Sequence, residues 1–136
     1  MNSELFYVVL SNINWMWFAV AVVSVFALGA IWYSLLFTKM WISVFKIDMP
    51  EKPTTGLLLR TFVMQLIVCL LFGLALFVIA KISVCIALLA LVAFAGWEKG
   101  ELNFQFSDFK KYWRAAIIRA GYTFLAGIIF ILFAMI

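Results

Sequence analysis

At 136 residues the chain is sized for one domain, and 68% hydrophobic against 12% charged residues excludes an ordinary soluble fold. Lipid can solvate so apolar a surface if the backbone satisfies its own hydrogen bonds, which leaves helices or a closed barrel. The net charge of +4 then marks topology rather than a nucleic-acid footprint, and its expected partner is the anionic cytoplasmic leaflet.

The apolar runs are continuous rather than alternating, so helices are expected over a barrel. The reading is all-α: one domain over 1–136, a four-transmembrane-helix bundle with short interfacial amphipathic segments, its spans at about 15–37, 62–80, 82–97 and 115–136. The first 38 residues hold no Lys or Arg. The basic start of a cleavable signal peptide is therefore missing, and the first helix is expected as an uncleaved anchor.

That helix is expected to begin at Asn12 or Asn14, both plausible caps, with Trp15 and Trp17 in the outer interface. Its ~23 apolar residues exceed the ~20 needed to cross, which predicts tilt or a kink at Gly29. Trp32, Tyr33 and Trp41 mark the approach to the inner interface. Residues 38–46 then mix Lys39 and Lys46 with Trp41, Ile42, Val44 and Phe45, the pattern of a short interfacial helix closed by turns around Pro50 and Pro53.

One helix over 62–97 would be about 54 Å long, nearly twice the hydrocarbon thickness, so a tight turn near Lys81 is required. The third span has only 16 residues, about 24 Å. Either Lys81 snorkels outward or the helix runs on through Glu98. Cys69 and Cys85 are the only thiols. They stand at depths about 12 Å apart, too far for a disulfide, and are expected as buried structural thiols. Residues 100–113 intersperse Phe104, Phe106, Phe109, Tyr112 and Trp113 with charges. That pattern suggests an amphipathic helix or elbow on the inner membrane surface.

The basic residues fix orientation. Lys39, Lys46, Lys52 and Arg60 lie between the first and second spans; Lys99, Lys110, Lys111 and Arg114 lie between the third and fourth, with Arg119 just inside the last. Only Lys81 lies on the other side. By the positive-inside rule both termini face away from the cytoplasm.

Two stripes of small or weakly polar residues suggest helix–helix contacts: Gln65, Cys69, Gly73, Leu76 and Ala80 on the second helix, and Ala116, Ala120, Thr123 and Gly127 on the fourth. The alternative is a narrow polar pathway. Gln65, a strongly polar uncharged side chain inside a span, reads either as an interhelical hydrogen bond or as a ligand-orienting group. With Ile136 at the outer surface, Arg119 falls within a turn of the inner boundary. It can snorkel to phosphates there, or bind an anionic headgroup or ligand together with Tyr122. Arg60 and Arg114 are further candidate headgroup contacts. Glu98 and Glu101 share a helical face if the third helix extends that far, but no other group in the sequence completes an acid–base or metal site with them. With no His in the chain and its acids outside the apolar spans, neither catalysis nor a cofactor is expected.

Ile13-Asn14-Trp15, then Gly29-Ala30-Ile31-Trp32-Tyr33-Ser34, Phe37 and Trp41, and later Arg119-Ala120-Gly121-Tyr122 with Gly127, together resemble the DUF-1761 family of small membrane proteins of unknown function. The resemblance spans nearly the whole chain. It departs at Leu35, where the family commonly has proline, and at Arg119, where an acid often stands. It implies a four-helix membrane domain without an established activity. Read physically, Gly29 permits close approach, while Trp32 and Tyr33 serve as interface anchors or line a headgroup pocket.

The leading expectation is a non-enzymatic accessory, interaction or lipid-contacting membrane protein, with anionic headgroups, a second copy or a larger complex as partners. The runner-up is a homo-oligomeric channel or small-solute transporter, and third is an enzyme acting on lipid headgroups.

Overall fold

The computed structural model describes residues 7–8, 11–46 and 55–136, apart from the side chains at 57, 58, 103 and 104. The turns expected at Pro50 and Pro53, together with Lys52, lie outside the described residues. Helix α1 covers Trp15–Ile31 and continues as a π-helical turn, Trp32–Leu36. Short α2 spans Thr38–Phe45; α3 Thr55–Ile82, α4 Val84–Gln105 and α5 Phe109–Ala134 follow.

Local chemistry places the boundaries. Asn14 is extended, and its side chain accepts the Trp17 amide at 3.4 Å, satisfying one orphan donor of the first turn. The Ser83 hydroxyl does the same for Ile86 at 3.4 Å, so one capping residue separates α3 from α4. Asp108 caps α5 through the Lys110 amide at 2.9 Å. Lys46 closes α2 in the left-handed region, φ 47°.

Three stretches, Trp15–Leu36, Leu59–Ile82 and Phe109–Ala134, are long and apolar enough to cross a membrane, the mark of a multi-pass membrane protein. Helix α4 is not among them. From Val84 its apolar run reaches only Trp97, about 21 Å, before Glu98, Lys99 and Glu101 intervene. Outward faces carry Val23, Leu71, Leu89 and Leu132, all exposed.

The structure corrects several expectations. Of the helix or elbow expected at 100–113 the structure has a bend and no separate helix: α4 runs on to Gln105, and Phe109–Trp113 already belong to α5. The reason is that extended Phe106, Ser107 and the capping Asp108 form a single break, which leaves Phe109, Tyr112 and Trp113 in one continuous helix. Helix α3 starts at Thr55 and takes in Ile82, so the third helix begins at Val84. The helix does not break at Gly29; the irregularity falls at Trp32. Cys69 is buried and free, whereas Cys85 is free but exposed, on the outward side of α4 one residue after its start.

Helix α5 packs against α1, α2, α3 and α4, and α3 also touches α1 and α4. The main core joins Phe18, Ala21 and Val25 to Leu76, Phe77, Leu91, Phe130 and Ile131. Phe18 meets Phe77 edge-on, 5.5 Å between centroids at 85°. The small-residue stripes close this core: a Cβ on Gly73 would collide with the Phe130 ring, and one on Gly127 with the Leu91 side chain. A smaller cluster of Val44, Leu102, Ala115 and Ala116 seats α2 against α4 and α5 at the basic end.

Candidate functional site

The π-turn is where the local sequence departs from regular helix. The Phe37 amide reaches back five residues to the Trp32 carbonyl at 2.9 Å, and the Thr38 hydroxyl takes up the Tyr33 carbonyl at 2.7 Å. Such a bulge shifts the residues within it relative to a regular helix, and π-turns often occur at functional sites. Here Trp32 turns towards α5, donating its indole N–H to the Ile118 carbonyl at 2.9 Å. Tyr33 packs its ring 5.3 Å from that of Tyr122, at 61°. Trp32 and Tyr33 are half-buried. Trp32 thus works as an interhelical tie.

Behind Tyr33 lies a cavity of about 330 Å³ between α1, α3, α4 and α5, within the range of small-molecule sites. One end is polar. Tyr33, Gln65, Glu98, Arg119, Tyr122 and Thr123 meet there, and the Tyr122 hydroxyl donates to the Val25 carbonyl at 3.4 Å. The Gln65 amide approaches that same hydroxyl. The other end is apolar, bounded by Phe72, Phe94, Ala126 and Phe130. From Arg119 to Phe130 the wall runs eleven residues of α5, about 16 Å. Val68 and Phe94 on the rim are 57% and 45% exposed, so the cavity opens sideways between α3 and α4.

Of the residues singled out in the sequence, Arg119, Tyr122, Gln65 and Tyr33 come together here. Gly29 lies against the site, where a Cβ would sit 3.1 Å from the Tyr122 hydroxyl. Gln65 is exposed at the rim rather than buried, because α3 turns that face towards the opening. Gly73 belongs to the close-packed core. Arg60 and Arg114 are exposed and do not line the cavity.

Nothing in the sequence supplies a group that completes a site with Glu98. Because α4 continues past Trp97, one of its two expected courses, Glu98 projects one turn below Phe94 into the same cavity. Its Oε2 is buried and has no hydrogen-bond partner. The Phe94–Glu98 spacing of four was the available signal. Glu101 is exposed and stays apart. Lys99 lies 4.2 Å from the Trp113 ring centroid, a cation–π contact that clamps α4 to α5 just below. A second hollow, between α2 and the α4–α5 bend, carries Lys46 and Lys111 on its walls.

No family model matches the chain, and neither curated proteins nor solved structures give a match.

Proposed function

We propose that the chain is a four-span membrane protein that holds an amphiphile, most simply a membrane lipid, in the cavity between α1, α3, α4 and α5, without transforming it. The observation that carries this reading is the polarity gradient along one wall: Arg119 and Tyr122 at one end, Ala126 and Phe130 at the other, with a sideways opening. A headgroup would meet the arginine and hydroxyls while its chain runs along the apolar wall. The lining's polar groups are hydroxyls, an amide, one carboxylate and one guanidinium, with the Cys69 thiol on the wall. That set suits recognition better than nucleophilic or metal chemistry.

Helix α4 is the fourth span in this reading. Its 22 residues measure about 33 Å, matching the ~30 Å core, with Glu98 and Lys99 sheltered by α5 near the basic end. The nine-to-one charge split puts that end in the cytoplasm and both termini outside. Cysteines introduced at Ser11 and Ser107 test this with a membrane-impermeant maleimide: Ser11 should label from outside and Ser107 should not. The reverse pattern would contradict it. Membership of the DUF-1761 family is likewise a proposal; the segments that carry the resemblance, around Trp32-Tyr33 and Arg119-Tyr122, are the ones that meet beside the cavity.

The binding reading is tested by native mass spectrometry of the protein released from phospholipid nanodiscs. Thr123→Phe fills the cavity from its wall. It should cut lipid retention about tenfold, the effect of roughly 1.4 kcal/mol, while the helices stay folded by circular dichroism. Equal retention by both proteins would count against binding in the cavity.

A further inference from the structure

We propose that the cavity selects a zwitterion that carries a primary ammonium beside a phosphate or carboxylate, with Glu98 taking the ammonium and Arg119 the anion. This rests on the amphiphile reading above and adds to it the chemistry of the headgroup.

Glu98 and Arg119 come from different helices and line one cavity, yet among the described residues no ion pair joins them. Glu98 Oε2 is instead buried and unpartnered. Opposite charges in a low-dielectric pocket attract strongly, and a buried carboxylate oxygen without a donor is costly. A ligand that carries both charges would satisfy the two side chains at once. A purely anionic headgroup would satisfy the guanidinium but bring like charge towards Glu98. A quaternary ammonium would balance the charge of Glu98 yet offer it no hydrogen-bond donor. A primary ammonium supplies three donors, and a phosphate accepts the planar arginine fork in two-point fashion. Tyr122, which donates to the Val25 carbonyl, stands on the same lining.

Two sources share this chemistry, an ethanolamine phospholipid and free phosphoethanolamine. The apolar end formed by Ala126 and Phe130 favours the lipid. The test is native mass spectrometry of the wild-type protein titrated in detergent with phosphatidylethanolamine, phosphatidylcholine and phosphatidylglycerol of identical acyl chains, and separately with phosphoethanolamine. Phosphatidylethanolamine should be retained at least about tenfold better than the other two, the weight of one charge-assisted hydrogen bond. Glu98→Gln should remove that preference and improve retention of phosphatidylglycerol. Phosphoethanolamine retained as tightly as the lipid would support the zwitterion and transfer the site to a soluble ligand. Equal retention of all three lipids by the wild type, all released by Thr123→Phe, would overturn the selectivity and leave the amphiphile reading standing. Retention of none would overturn both. The wild-type comparison decides the matter even if Glu98→Gln fails to fold.

Discussion

The two halves of α5 make different contacts with the same neighbours. From Gly127 to Ala134 the helix is closed against α1, α3 and α4: Leu91 seats on Gly127 and Phe130 on Gly73, where a Cβ on either glycine would collide, and Phe130 also closes the apolar end of the cavity. From Arg119 to Thr123 the same helices stand apart around a cavity, held by longer ties: the Trp32 indole on Ile118 and the Tyr122 hydroxyl on Val25. In lipid there is no hydrophobic drive between helices, so close contact depends on small residues and separation on side chains that bridge. The difference shows how one helix can serve as structural hub and binding wall at once.

The same added methyl group, placed in each half, gives the sharpest contrast. Gly73→Ala should lose the most, about 1–3 kcal/mol as overpacking against the buried Phe130 ring, read as a lowered midpoint in detergent-induced unfolding. Trp32→Phe removes the indole donor in the open half and should cost less, about 0.6–1.7 kcal/mol, by the same measurement. Gly29→Ala meets the end of the Tyr122 side chain at 3.1 Å, which can yield by tenths of an ångström, and Ala is the better helix former by ~1 kcal/mol. It should therefore change stability least, within about 0.5 kcal/mol of wild type. If Gly29→Ala destabilised as much as Gly73→Ala, the two halves would be equally close-packed and the contrast would fail.

Much of this was legible in the sequence because lipid imposes simple rules. Continuous apolar runs point to the helices, Asn14 to the first cap, and the two small-residue stripes, one through Gly73 and one through Gly127, to the tight contacts. Arg119, Tyr122, Gln65 and Tyr33 stood out as polar or amphipathic groups in apolar surroundings. Continuation of α4 through Glu98 is one of the two outcomes its short apolar run allows; what that run does not carry is that the helix goes on two turns past Trp97 and brings the Glu98 carboxylate into the cavity. The π-turn was equally hidden. It depends on Trp32 finding a carbonyl 86 residues away, a tertiary contact with no local signature. The exposure of Cys85 is hidden for a related reason: depth along a helix follows from residue count, but the face it presents depends on where α4 starts after Ser83.

The most direct test of the central claim is photo-crosslinking in a bilayer, using a phospholipid with a diazirine on its acyl chain followed by peptide mapping. A chain lodged in the cavity should place adducts on Phe72, Phe94 and Ala126, which line its apolar end, and Thr123→Phe should erase them. Adducts confined to outward positions such as Val23, Leu89 and Leu132, unchanged by Thr123→Phe, would show that lipid only bathes the helices and would contradict the account.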